Sequence, residues 1–487
     1  MNARIAARIP WLVAAALLVA GAALIARPDA RDALRAADRL FVAGRYHEAL
    51  AAYRPLAPTL PVAQLRLGML RALRGEHAPA ERALRAAMQR GLDPASYHLA
   101  LLYLGRALAD SGRDELAGRT WLLLEDCRTP AACALRAPGR VLAAEEAMRR
   151  GDYLAAEAGY EAALAEPLPV AWAGLAAYRL ALLHAPDDPA AAWDALAAPP
   201  PRPAPDNPLA APLLPEPREG PAQLAAVLRA PEGQRQQLLG QLYLGLGLYG
   251  LAEEQFVRVD PHGPEALSAA AYAAYTRWRA GDAQGGLARL EALVAAYPDE
   301  PRTRTLLALA YLDLDSSDAA REQIDTVARL RPGDPDVQLA WANWYAARRE
   351  YDEASLAYGR ALAQAPTGER GRYALLAANF HLASTYQLCE RGLPLAELAA
   401  AALGAHAGAQ TTLAAHRYHC GAFEGAVRAA QAARAAGAGP DAAYYLGASL
   451  AALGDASDAR AALIAAADLA PASVWRRRAE IVLSYLP

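Results

Sequence analysis

The chain has no lysine: all 49 basic residues are arginine. With the heavy use of alanine, this fits the codon usage of a GC-rich genome. Nor is there a surplus of either charge, since 52 acidic residues leave a net charge of −3. That balance argues against nucleic acid as a partner, which would want a strongly basic face. Cysteine is scarce, four in 487 residues, an even number compatible with two disulfides but not requiring them. Histidines and carboxylates are scattered, with no recoverable nucleophile and base spacing. The sequence therefore reads as a non-enzyme and implies no cofactor and no metal.

Two patterns that look like chemistry fail on context. Gly245-Leu246-Gly247-Leu248-Tyr249-Gly250 spells G-x-G-x-x-G, but a dinucleotide fingerprint needs a strand before it and a βαβ unit around it. His416, His419 and Cys420 stand at i, i+3 and i+4, so one helix face could present three ligands, yet no fourth is evident.

What the sequence has is a period. Pro264, Pro298, Pro332 and Pro366 lie 34 residues apart. Twelve positions before each stands a small residue, Ala252, Gly286, Ala320 or Ala354, and eight before stands a larger apolar one, Phe256, Leu290, Ile324 or Tyr358. Each unit reads as two helices whose apolar stripes need the next unit for cover. The proline lacks an N–H and stops the second helix.

The unit Leu239-Gly240-x-x-Tyr243, a turn at Gly247 to Tyr249, Ala252-x-x-x-Phe256 and Pro264 resembles the tetratricopeptide repeat. Similar units run from Gly44-Arg45-Tyr46 to Leu463 and Pro471, with weaker matches over 170–198 and 369–404. The resemblance implies an all-α fold, a right-handed superhelical solenoid of helix-turn-helix repeats. Between 199 and 221 ten of 23 residues are proline, which predicts an extended spacer between two arrays; a long surface loop within one superhelix is the other reading. The expected organisation is 1–28 membrane anchor or signal segment, 29–198 N-terminal array, 199–221 Pro-rich linker, 222–471 C-terminal array and 472–487 capping helix.

At the N-terminus, Trp11 to Ala26 carries no charge. As a helix it would span about 24 Å, somewhat short of a hydrocarbon core of about 30 Å. We expect a single-span anchor; a cleaved signal at Ala20-Gly21-Ala22 is the rival. Arg4 and Arg8 before the segment favour export of the repeats, whereas Arg27, Arg31, Arg35 and Arg39 after it count the other way. Cys127 and Cys133 flank the irregular Arg128-Thr129-Pro130, and Cys389 and Cys420 fall near the ends of first helices in neighbouring units. Either two disulfides or four thiols would fit.

The resemblance also implies where a partner sits, because first helices of such repeats line a concave groove. Its groove positions fall on Gln234, Gln237 and Gln241, then Tyr275, Trp278 and Arg279, then Arg302, Thr305 and Asp313, then Asp336 and Asn343. The candidate partner-binding set is Gln237, Gln241, Tyr275, Trp278, Arg279, Arg302 and Asn343, types that suit an extended peptide. The N-terminal groove offers Leu65, Met69, Leu99, Leu102 and Arg106. Of the Lys and Asn set with which some family members clamp a C-terminal carboxylate, only Asn343 is present. The expectation is a membrane-tethered scaffold binding a protein or peptide partner in assembly or regulation of an envelope complex. The alternative is a cytoplasm-facing adaptor that recruits an enzyme to the inner membrane; oligomeric state is not indicated.

Overall fold

Helix pairs follow one another through the computed structural model, which describes residues 29–197, 203–215 and 221–486. The expected membrane segment, Trp11 to Ala26, lies outside the described residues. Among those residues no helix is long and apolar enough to cross a membrane.

The first pairs are α1 (Ala30–Val42) with α2 (Tyr46–Tyr53), α3 (Pro61–Leu73) with α4 (His77–Gln89), and α5 (Pro94–Ala109) with α6 (Asp114–Leu122). A short α7 (Pro130–Cys133) precedes α8 (Arg136–Arg149) and α9 (Tyr153–Leu164), and α10 (Val170–His184) pairs with α11 (Pro189–Ala197). After the Pro-rich segment, α12 (Pro221–Leu228) leads to α13 (Glu232–Leu246) with α14 (Tyr249–Arg258) and α15 (Ala266–Arg279) with α16 (Ala283–Ala296). Then come α17 (Pro301–Asp313) with α18 (Ser317–Leu330) and α19 (Pro335–Ala347) with α20 (Tyr351–Gln364). The last pairs are α21 (Arg370–Ser384) with α22 (Leu393–Leu403), α23 (Ala407–His419) with α24 (Phe423–Ala435), and α25 (Pro440–Ala452) with α26 (Ala456–Leu469), followed by a single α27 (Val474–Tyr485).

Local chemistry sets the boundaries. Several first helices begin with proline at the start of the first turn, as at Pro61, Pro94, Pro301, Pro335 and Pro440, where the missing N–H costs nothing. The turn inside most pairs uses one left-handed residue. Gly247 and Gly281 supply it, and the next two units put Asp315 (φ 58°) and Arg349 (φ 61°) in the same place, 34 and 68 residues beyond Gly281. A non-glycine residue there costs about 1–2 kcal/mol. The stacked pair imposes the turn even where the sequence does not favour it.

Packing inside a pair depends on close approach. A Cβ on Gly240 of α13 would lie 2.6 Å from the Phe256 ring of α14, and one on Gly105 of α5 would lie 2.2 Å from the Trp121 indole of α6. The large side chain of the second helix thus lies directly on the backbone of the first. The recurring small and bulky residues follow: Ala252, Ala320 and Ala354 are fully buried, as is Leu290, with Phe256 and Ile324 nearly so. Each bulky side chain so buried stabilises by about 1.5–3 kcal/mol.

The weak unit at 369–404 departs through its turn. Thr385 and Gln387 take left-handed backbone, and a π-helical turn, Leu388–Gly392, precedes α22. A disulfide from Cys389 to Cys420 ties that turn to the end of α23, with the Cα atoms 5.6 Å apart. A second disulfide joins Cys127 to Cys133 across the start of α7, with Cα atoms 5.1 Å apart.

The Pro-rich segment, expected as an extended spacer between two arrays or as a surface loop, packs against the repeats in its described part. Its described part, 203–215, is extended at Pro203–Ala204, which pair in parallel with Leu168–Pro169, and then turns at Ala211–Leu213. Ala210 and Leu213 are buried, and a single cluster of buried side chains runs from Ala37 through them to Ala269. Leucines interleaved with the prolines give the segment apolar surface to bury, so packing overrides the spacer expectation.

The two ends of the solenoid meet. α2 packs against α26, where the backbone N–H of His47 donates to Asp468 at 2.9 Å. α27 covers the last pair with Ala479 and with Trp475, which lies against Tyr444 and Tyr445.

Candidate functional site

On α13, Gln241, Leu244 and Gly245 fall on one face, and on α15 Tyr272, Tyr275 and Arg279 do the same at i, i+3 and i+7. Together with Tyr249, which begins α14 after the left-handed Gly247, they line a cavity of about 330 Å³. The Tyr272 ring stacks on Phe256 at 5.3 Å, so the packing inside the neighbouring pair holds it in place.

Arg279 is the charged group of this cavity. Its guanidinium donates to the Tyr249 hydroxyl at 3.3 Å and sits 3.5 Å from that of Tyr275, with its carbon 5.8 Å from the Tyr249 ring centre. Among the described residues no carboxylate pairs with it. An exposed arginine steadied by neutral hydroxyls keeps its charge free for an incoming anion.

Beside the cavity a polar chain crosses three successive first helices. The Gln237 amide on α13 donates to Ser268 on α15 at 3.4 Å, and Arg302 on α17 donates to the same hydroxyl at 2.8 Å. Asn343 on α19 stands apart, accepting from the Tyr358 hydroxyl at 2.9 Å. The structure therefore brings Gln241, Tyr275 and Arg279 into one cavity, links Gln237 to Arg302, and leaves Asn343 outside.

Trp278 requires a correction. It is not a groove side chain: only 9% of it is exposed, and it packs with Ala274, Leu290, Leu306, Leu307 and Ala310. The cause is Gly286 on α16, where a Cβ would come 2.5 Å from the Trp278 backbone nitrogen; the second helix presses in and walls off the indole. In the N-terminal groove Leu65, Met69, Leu99 and Leu102 are likewise buried. Sequence reasoning missed Tyr249 and Tyr272. Tyr272 lies one turn before Tyr275 on the same face, a spacing that could have marked it; Tyr249 is positioned by the turn and carries no such signal.

The suspected ligand trio does not assemble. His416 is fully buried, with Nδ1 2.9 Å from the Thr412 carbonyl and its pKa lowered by burial, and Cys420 is held in a disulfide. Glu157, Glu161 and His184, not singled out by sequence, bring three ligand atoms within 4.8 Å of one another, and His184 Nε2 already meets Glu157 at 2.9 Å. The G-x-G-x-x-G stretch lies across the end of α13 and the turn into α14, not after a strand.

The tetratricopeptide repeat profile matches residues 277–343. No curated protein sequence matches the chain. Among solved structures it is similar to yeast Tom70, at 14% identity over 93% of this chain and 95% of that one, with a TM-score of 0.38. It is similar to the type IV pilus biogenesis factor PilW, at 16% identity over 45% of this chain and 100% of that one, TM-score 0.38. YrrB, a repeat protein with an unusual peptide-binding site, matches at 17% identity over 39% of this chain and 97% of that one, TM-score 0.33. The tetratricopeptide repeat match thus stands over 277–343, and stacked helix pairs of the same kind continue on either side of it.

Proposed function

We propose that the chain is a scaffold, not a catalyst, that captures a protein or peptide partner in the cavity of Gln241, Tyr249, Tyr272, Tyr275 and Arg279. Residues 1–28 hold it at a membrane, and it serves the assembly or regulation of an envelope complex. One observation carries the binding reading: an arginine with no ion-pair partner among the described residues is framed by tyrosines between two stacked first helices. Tyrosine and arginine are the types that dominate interface energetics, tyrosine through rigid area and arginine through charge-assisted hydrogen bonds. Beside the cavity Gln237 and Ser268 are buried and hydrogen-bonded to one another, which leaves the exposed Arg302 as the neighbouring donor. Acidic side chains or a carboxylate near an aromatic residue are the ligand features this set would favour.

The two disulfides support placement of the repeats outside the cytoplasm, since such bonds persist in oxidising compartments. That favours the exported scaffold over the cytoplasm-facing adaptor. A reporter fused to the C-terminus tests the placement: periplasmic reporter activity is expected, and cytoplasmic activity alone would reverse the orientation. Capture from detergent-solubilised membranes tests the cavity, with Arg279→Ala expected to lose the partner.

A further inference from the structure

The N-terminal groove already contains a peptide, and it is the chain's own. Residues 203–215 pass from Leu168–Pro169, just before α10, to α5. The fully buried Tyr103 of α5 donates its hydroxyl to the Leu209 carbonyl at 2.7 Å, a contact that reads backbone and not side chain. Leu213 is 3% exposed and Ala210 1%, both inserted into the cluster that holds Leu99 and Leu102. Pro203–Ala204 adds a short parallel strand to Leu168–Pro169, the mode by which extended peptides join an exposed edge. Further along, Pro215 borders cavities shared with Arg106 of α5, Arg149 of α8 and Arg179 of α10, all on first helices.

The segment also holds its own shape. The Asn207 carbonyl accepts from the backbone N–H groups of Ala210 and Ala211, both at 2.9 Å, and its side chain accepts from Leu209 at 3.1 Å. Prolines offer no N–H to the groove and lose little entropy when bound. Attachment therefore rests on few anchors, chiefly the Leu209 carbonyl, Leu213 and the two-residue pairing. A cavity of about 1710 Å³ opens beside the segment at Pro212 and Leu214, so the site can be reached from outside.

We propose that residues 203–215 are a resident ligand of the N-terminal groove, and that a partner's proline-rich, leucine-bearing peptide of the same chemistry takes their place. This is a second site, whose anchors at Leu209 and Leu213 are separate from the Arg279 cavity, although the cavity at Pro215 reaches Tyr249, which lines both. The test uses the full chain with residues 203–215 replaced by a Gly/Ser segment of equal length, and a fluorescent synthetic peptide of the 203–215 sequence read by anisotropy. Saturable binding to the replaced chain is expected. The intact chain should bind at least about tenfold more weakly, because its tethered copy competes at an effective concentration of about millimolar. Tyr103→Phe in the replaced chain should weaken the peptide about fivefold through the lost hydrogen bond. A replaced chain with native helicity that ignores the peptide, or binds it no better than the intact chain does, overturns the proposal. If the replacement fails to fold, Leu213→Asn in the intact chain removes one anchor only. That variant must then bind the peptide more tightly than the unaltered chain, and equal binding overturns the proposal as well.

Discussion

Arg74 places Nη2 2.6 Å from the carboxylate of Glu480, a residue 406 positions further along the chain. Arg476 of α27 completes a cycle, meeting Glu480 at 3.2 Å and Glu76 at 3.6 Å, while Arg74 meets Glu76 at 3.0 Å. Both arginine side chains are only 11% exposed. The contact joins the second helix pair to α27, the single helix after the last pair. Arg74→Ala leaves Glu76 and Glu480 with Arg476 alone, and because both carboxylates are about a third exposed it should cost about 1–2 kcal/mol. Small-angle scattering should show the chain expanding while circular dichroism keeps its helicity. An unchanged scattering radius would mean the clasp does not hold the ends.

Asp468 makes the same closure sensitive to pH. Burial pushes its carboxyl up to about 6, against the opposing pull of the His47 N–H. The closed form thus binds a proton more readily than the open chain, where the value is about 3.9. The contribution to stability is fully present below pH about 4 and is lost as pH rises through about 6. Asp468→Asn should flatten the melting profile between those values and raise stability at pH 8 by about 1–2 kcal/mol, the group being partly solvated. A variant that keeps the same pH slope would place the titration elsewhere.

Trp278 and Arg279 are neighbours in sequence with different duties. Trp278→Ala opens a cavity against Leu290 and Leu306 and should destabilise its unit by about 3–5 kcal/mol. Arg279 is exposed, meeting only tyrosine hydroxyls and ring faces, so Arg279→Ala should cost about 1 kcal/mol or less, well below the Trp278 change. Thermal denaturation of the two variants side by side settles the assignment, and equal melting would return Trp278 to the groove.

The disulfides should contribute unequally. Cys389 and Cys420 are 31 residues apart and Cys127 and Cys133 only 6, so loop closure assigns about 3–4 kcal/mol to the first and about 2 to the second. Melting of Cys420→Ser and Cys133→Ser variants should rank them in that order. The reverse ranking would show that the π-helical turn before α22 does not depend on its bond.

The repeat was legible because it is local. Spacing alone marks Ala252 and Phe256 as a packed pair, since a small and a bulky residue four apart on one helix answer Gly240 on the other. Arg349 in a left-handed turn was not legible, because its backbone is dictated by stacking and not by its own preference. Trp278 was misplaced for a related reason: family positions give the face of a helix but not how far the next helix intrudes at Gly286. The clasp between Arg74 and Glu480 and the seat of Leu213 pair residues far apart in the chain, and a repeat period says nothing about what meets across it. Tyr272 and Arg279, by contrast, lie on the helical period that Tyr275 already marked.

The most direct test of the binding role is quantitative capture from detergent-solubilised membranes by the intact full chain and by a Tyr275→Ala, Arg279→Ala double variant, with melting recorded for both. Loss of the tyrosine and the guanidinium should weaken capture by about 2 kcal/mol, roughly thirtyfold, while helicity is kept and melting falls by only a few degrees, since Tyr275 is half-buried against Trp278. Undiminished capture by a normally folded double variant would contradict the account, because the cavity of Tyr249, Tyr272, Tyr275 and Arg279 would then not be where the partner is held.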